Sequence, residues 1–299
     1  MSYFLFDRVL KFILKTLFIF SSYSLFAQCD SSAFHRGINY YHQNQFNLAI
    51  KSYTKQIEVC PFKNAYLDRA FCYINIGKED SALSDFNQVV KFIPENERAN
   101  TYLSWGNIIF NTHSHYGVSF QLYHNVVKLS SEICMAWYRM ARCKWLERIA
   151  ILQADHVEDF RTDPILQSGL KDEIAGYYNR AIYLDSLANY QKYVSRPEME
   201  AIKDMKSNYD FYSDRSIFML DFGDFIGALK DLDMANTVHP KAENYKMAAF
   251  LAKKVGEKEK ACGYMQKWAV MLSSSENIDL SKKKEEADKF CKELNNSNN

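Results

Sequence analysis

Large and small apolar residues alternate at helical spacing through residues 209–240: Tyr212, Arg215-Ser216, Met219, Gly223, Ala228, Leu232, Ala235 and a closing Pro240. A helical period broken by a glycine and ended by a proline predicts two short helices joined by a turn. The arrangement returns 33 residues later in Tyr245, Ala248-Ala249, Ala252, Gly256, Ala261, Met265 and Trp268. It also opens the chain. Gly37 and Tyr40 fall on one predicted helix, Ala49 and Tyr53 on the next, and Pro61 closes the unit. The following unit sets Ala70, Tyr73, Gly77, Ala82, Phe86 and Pro94 at a spacing of 33. Packing explains these residue types. Small residues (Gly37, Ala70, Ala49, Ala82) let two helices approach closely, and aromatics (Tyr40, Tyr53, Phe86) fill the gap to the neighbouring unit. Proline stops the second helix without the loss of an internal hydrogen bond.

A fixed period of this length with this residue pattern resembles the tetratricopeptide repeat, a 34-residue helix–turn–helix unit. Four segments match it well: 30–62, 63–95, 209–241 and 242–274. A degraded unit covers 99–132. There Tyr102, Trp105-Gly106 and Ile109 fit the first helix, and Ser119, Tyr123 and Val126 fit the second after one extra residue in the polar turn 111–117. The middle, 133–208, is irregular. Ala136-Trp137 and Met140-Ala141 open a helix of the first type, and Asp172-Glu173-Ile174 through Tyr178, Ala181 and Asp185 resembles a second helix. An inserted unit is the preferred reading; a phase that ends a unit at Pro164 and makes 166–208 a further repeat stays open. Residues 277–294 predict a last helix with Leu280, Ala287, Phe290 and Leu294 on one face and the charged run 282–286 beside it, as suits a solvated cap (275–299 with its tail) over a stack of repeats. The fold class expected is all-α: a tetratricopeptide-repeat helical solenoid in a right-handed superhelix, with an irregular middle and a C-terminal capping helix.

Residues 1–27 change the picture of where the chain works. Arg8, Lys11 and Lys15 precede a mostly apolar run, 16–26, that is shorter than the roughly 20 residues a spanning helix needs, so it reads as a secretory signal. Ala27 would be the last residue before cleavage, leaving Gln28 first and no transmembrane segment in the mature chain. Lipid attachment at Cys29 and an uncleaved anchor stay open. The ending Ser24-Leu25-Phe26-Ala27-Gln28 resembles signal peptides of Bacteroidetes-type Gram-negative bacteria, which implies a periplasmic or extracellular protein of the cell envelope. Setting aside this segment, with Arg8, Lys11, Lys15 and Asp7, leaves 34 basic against 35 acidic side chains. So neutral a balance gives no general attraction to nucleic acid or anionic membrane, and no nucleic-acid partner is expected.

Seven cysteines in an exported chain raise the question of disulfides, and the odd number leaves at least one thiol unpaired within a monomer. Cys60, Cys72 and Cys143 fall inside helical patterns and are expected as small buried hydrophobes. Cys262 and Cys291 are the best pair, because the last helix should fold back on the helix that carries Cys262. Such a bridge would add roughly 3 kcal/mol in the loop-entropy picture.

An enzyme needs a convergent site. The sequence has no Gly-rich phosphate loop, no HExxH and no GxSxG, so a non-enzymatic protein without cofactor or metal is expected. His113 and His115 read as a solvated turn. Asp155, His156, Glu158, Asp159 and Asp163 read as an exposed acidic insertion, and Lys253-Lys254 as a solvated face.

The family resemblance implies a working surface. In tetratricopeptide repeats the first helix of each unit lines a concave groove, through the second, fifth, ninth, twelfth and thirteenth positions. Carried over, these include Phe34, Ile38, Tyr41 and His42 in the first unit, and Leu67, Phe71, Ile74 and Asn75 in the second. They include Leu103, Asn107, Phe110 and Asn111 in the third, and Tyr138, Arg142 and Trp145 in the fourth. Apolar and aromatic residues dominate, which favours an amphipathic helix or an extended apolar peptide; packing against the next repeat is the competing role for each. Tyr41, Phe71, Phe110 and Trp145 are the expected anchors. Family members that capture a terminal carboxylate use Lys and Asn at the fifth and ninth positions; only Lys246 and Asn107 echo this, in different units. The expectation is an exported protein–protein interaction scaffold that binds a peptide or protein partner, its oligomeric state open. A glycan- or small-ligand-binding envelope protein is the alternative, with exposed Trp and Tyr platforms in 134–208 as its mark.

Overall fold

Within five helical pairs of this chain the turn holds a residue in the left-handed region, which glycine adopts most readily. The computed structural model describes residues 30–157, 165, 169–193, 210–272 and 280–296. Among them it contains α-helices and no strand. Gly77 (φ 70°), Gly223 (φ 74°) and Gly256 (φ 86°) hold the turns within three helical pairs; Asn44 (φ 57°) and Ser114 (φ 54°) do so in two others. At the far end of the second helices, Pro61 and Pro240 each stand two residues beyond the last helical residue, and Pro94 two beyond the 3-10 turn 90–92 that extends its helix.

The chain divides into two compact units at Glu97/Arg98. The first contains α1 (Ser32–His42), α2 (Phe46–Val59), α3 (Lys63–Asn75) and α4 (Glu79–Val89), followed by a single 3-10 turn, Val90–Phe92. α1 packs on α2, α2 on α3 and α3 on α4. Ala49, Tyr53 and Cys72 form the centre of the first core, with Phe34, Ile38, Tyr41 and Phe46 partly buried against it.

The boundary lies in the first turn of α5 (Glu95–Thr112). The second unit continues with α6 (Tyr116–Leu129), α7 (Cys134–Ala154), α8 (Lys171–Tyr193), α9 (Phe211–Asp221), α10 (Phe225–Val238), α11 (Ala242–Lys254), α12 (Lys258–Leu272) and α13 (Leu280–Asn296). From α6 onward each helix packs on the next. The turn between α5 and α6 is only 113–115, because Asn111-Thr112 and Tyr116-Gly117 are already helical; the expected turn, 111–117, was too long. Among the described residues of the irregular middle, α7 packs on α8; residues 158–164, 166–168 and 194–208 lie outside them. Asp210 and Asp224 cap α9 and α10 by accepting from the backbone N–H of Ser213 and Gly227 at 3.1 and 2.9 Å.

Side chains 16 residues apart tie the first helix of a pair to the second. The ring of Tyr53 lies so close to Gly37 that a Cβ there would stand 2.4 Å from Cε1. Gly106 and Tyr123 repeat this close approach at 17 residues, the extra one being the insertion seen in the sequence. Arg69 forks onto Asp85 with two bonds of 2.7 Å, and Arg215 onto Asp231 with bonds of 2.7 and 2.5 Å. Both aspartates are buried.

Cys262 and Cys291 form a disulfide across a Cα–Cα distance of 5.1 Å, binding α13 to α12 beside buried Ala287, Phe290 and Leu294. Cys72 and Cys143 are buried thiols. Cys60 corrects the sequence reading. It caps the end of α2 in extended conformation rather than sitting inside the helix, is only half-buried, and is disulfide-bonded.

Candidate peptide-binding site

The first unit contains a cavity of about 290 Å³, lined by Ile38, Tyr41, His42, Tyr53, Asp68 and Phe71. Its construction follows from helical spacing. Ile38, Tyr41 and His42 share one face of α1, Asp68 and Phe71 share one face of α3, and positions three or four apart lie side by side. Tyr53 comes from α2 and is 1% exposed; its ring is fixed by contact with Gly37 and by a tilted pair with Phe34 at 5.6 Å. Phe71 is held edge-on to the buried Phe86 at 5.6 Å, and Tyr41 to Phe46 at 5.7 Å. The walls are therefore braced aromatic rings.

Asp68 sets the electrostatics. Among the described residues its carboxylate makes no hydrogen bond or ion pair, and burial pushes it up to about 6. The neighbouring Arg69 does not neutralise it, since consecutive helical residues point about 100° apart and Arg69 turns to Asp85 and Thr54. The negative charge is felt nearby. Tyr41, Tyr53 and Cys72 all have raised values, mainly from burial and in part from Asp68; the Cys72 thiol is pushed up to about 12.

First helices α1 and α3 thus supply the walls, and the second helix α2 the floor, in helical pairs that recur at a 33-residue period, with Gly37 under the Tyr53 ring. The fold is that of a tetratricopeptide-repeat protein. Of the first-helix positions named from sequence in these two repeats, Ile38, Tyr41, His42 and Phe71 meet in the cavity. Phe34 lies behind it, wedged against Phe62 at 4.9 Å, with its N–H donated to Gln56 Oε1 at 3.1 Å. Leu67 is half-buried and does not line it, Asn75 bonds back to its own helix at the carbonyl of Phe71, and Ile74 is core. Asp68 was missed. In the sequence it stands beside an arginine and reads as half of a neutral pair; only the direction of Arg69 leaves it alone.

The positions named in the second unit are placed differently. Phe110 and Trp145, expected as groove anchors, are each 8% exposed and belong to the packing. The guanidinium of Arg139 lies 4.9 Å from the centre of the Phe110 ring and that of Arg142 5.5 Å. Trp145 donates its indole N–H to Asp221 at 3.1 Å, and seven residues earlier Tyr138 donates its hydroxyl to Asp214. Both bonds run from α7 to α9, so the next first-type helix occupies the space a ligand would need. Arg142 completes this cluster, 3.5 Å from Asp214. Leu103 is half-buried.

The remaining sequence candidates find internal partners. Asn107 accepts from Tyr123 at 2.9 Å through Oδ1, and Lys246 sits 3.5 Å from Glu286 and 4.6 Å above the Trp268 ring. Lys253 and Lys254 lie over Phe290 and Phe225. Trp137 donates to the Ser131 carbonyl and lies beside Tyr177 at 6.0 Å. His113 and His115 stand 6.4 Å apart in their turn; burial and His115 lower His113. Among the described residues no three His, Cys, Asp or Glu side chains gather as metal ligands, and no helix is long and apolar enough to cross a membrane. Glu158, Asp159 and Asp163 of the acidic insertion, residues 1–27 and the side chain of Leu280 lie outside the described residues.

No family model and no curated protein matches this chain. Solved structures with similar helical repeats include the MamA protein, at 14% identity over 73% of this chain and 96% of that one, TM-score 0.45. The C-terminal part of a TPR repeat-containing protein from Cytophaga hutchinsonii matches at 12% identity over 80% and 79%, TM-score 0.41. The pilF protein of Pseudomonas aeruginosa matches at 12% identity over 83% and 93%, TM-score 0.39. Similarity at this level says nothing of function, and the fold assignment rests on the helical pairs themselves.

Proposed function

We propose that this protein is an exported, non-enzymatic scaffold that binds a peptide or protein partner through the cavity of its first repeats. The observation that carries the reading is the cavity itself: braced aromatic rings on neighbouring helices, with the carboxylate of Asp68 inside. Recognition sites generally have this make-up, mostly apolar with a few fixed polar groups. Export is supported by the charged and apolar segment 1–27 and by the Cys262–Cys291 disulfide, since such bonds persist in oxidising compartments.

Chemical crosslinking of the native cell envelope followed by mass spectrometry tests both parts. The expected result is a protein partner crosslinked beside α1 and α3, and a mature chain that begins at Gln28. The paired substitution Tyr41→Glu with Phe71→Glu should remove that crosslink while circular dichroism stays helical. A partner retained by the double variant, or crosslinks that map only elsewhere, would overturn the assignment.

A further inference from the structure

The first-unit cavity combines three ring-bearing walls with an unpaired carboxylate, and the same protein shows twice what such a set holds. Arg69 lies over Tyr66 and Tyr73, 5.7 and 5.8 Å from their centres, and forks onto Asp85. Arg215 lies over Tyr212 at 5.7 Å and forks onto Asp231. In the cavity Tyr41, Tyr53 and Phe71 correspond to the rings and Asp68 to the aspartate. We infer that this site takes an arginine side chain presented by a protein partner. The guanidinium is planar, weakly hydrated and able to stack on rings while it forks onto a carboxylate, which a lysine ammonium does not do. Ile38 and the ring faces cover the methylene stem, and about 290 Å³ suits one long side chain rather than a folded helix. The inference rests on the scaffold reading and names the group that the scaffold reads.

The test uses the mature chain and three blocked peptides that differ at one residue: acetyl-Leu-Arg-Leu-amide, its lysine counterpart and its citrulline counterpart, which keeps the shape of arginine without its charge. Binding is followed by NMR shifts of the Tyr41, Tyr53 and Phe71 rings. The arginine peptide should bind about tenfold or more tightly than the citrulline peptide, with lysine between them, as expected for a hydrogen bond to a charged group. Asp68→Asn should abolish that preference while citrulline binding is unchanged, and circular dichroism checks that the variant stays helical; Asp68 is only half-buried and makes no hydrogen bond or ion pair among the described residues. Equal affinity of the arginine and citrulline peptides, or a preference that survives Asp68→Asn, would overturn the arginine assignment and leave the scaffold standing, provided that Phe71→Glu still releases the crosslinked partner. Free agmatine bound as tightly as the arginine peptide would also overturn it, making the site one for a small cation.

Discussion

Glycine-to-alanine substitution should change sign along this chain according to what lies over each glycine. In a helix interior alanine is favoured over glycine by about 1 kcal/mol. Gly263 on α12 and Gly176 on α8 have nothing within 4 Å of an added Cβ, so Gly263→Ala and Gly176→Ala should each stabilise by about that amount. At Gly37 the Cβ would fall 2.4, 2.6 and 2.8 Å from three ring atoms of Tyr53, and that ring, 1% exposed and backed by Phe34, could move only into the cavity whose floor it forms, giving up its packing. Overpacking costs about 1–3 kcal/mol and occasionally more, so the net effect of Gly37→Ala should be a loss of about 1–2 kcal/mol. Gly106→Ala, with Tyr123 at 2.7 Å, should behave alike. The spread between Gly37→Ala and Gly263→Ala is then about 2–3 kcal/mol, several degrees in melting temperature for folded units of this size. Urea titration followed by circular dichroism, with amide exchange to localise the loss to α1 and α2, measures it. Because repeat arrays unfold in parts, the local exchange reading is the decisive one. The companion variant Gly37→Ala with Tyr53→Leu should recover part of the loss. If Gly37→Ala and Gly263→Ala shift stability in the same direction, close approach of α1 and α2 at Gly37 is not what requires glycine there.

Asp68 gives a pH dependence of definite sign. Its carboxyl is raised to about 6 from an ordinary 3.8, so it is neutral in both folded and unfolded chains below about pH 4, and its ionised form is disfavoured in the fold above about pH 6. Stability from this group is therefore highest in acid and falls as pH rises between those values. The distance between the two values sets a ceiling near ~3 kcal/mol, which partial exposure reduces to about 1 kcal/mol. Asp68→Asn should raise stability at pH 7 by that amount and flatten the fall. Tyr41, Tyr53 and Cys72 titrate far above this window, and His42, which lines the same cavity, is controlled by comparison in a His42→Gln background. Reduction of Cys262–Cys291, or Cys291→Ser, should cost about 3–4 kcal/mol for a 29-residue separation, read as faster amide exchange in α13 than in α10 and α11. Asp231→Ala leaves the Arg215 guanidinium largely buried without its partner and should cost about 3–5 kcal/mol; Arg215→Met with Asp231→Leu should recover most of it in urea titration. A smaller loss in the single variant than in the double would contradict the role given to the pair.

Local pattern alone determined the helices, their turns and their ends. Small residues at Gly37, Ala49, Ala70 and Ala82, large ones at Tyr53 and Phe86, a left-handed turn residue such as Gly77 and a closing Pro94 suffice, because each acts on neighbours within one helical pair. The pairing of Cys262 with Cys291 followed for the same reason, two adjacent helices folding back on one another. What a side chain does between pairs was not legible. Phe110 and Trp145 sit at the first-helix positions that Tyr41 and Phe71 occupy in their own repeats, yet they are buried, because the Arg139 and Arg142 guanidiniums cover one and Asp221 on α9 draws in the other. The Asp210 and Asp224 caps are readable from sequence; the isolation of Asp68 is not, since it depends on which way Arg69 turns. Sequence sets periodicity, and periodicity sets which face of a helix is apolar. Whether that face becomes a site or a core depends on what the next helix brings against it, and only the tertiary structure decides that.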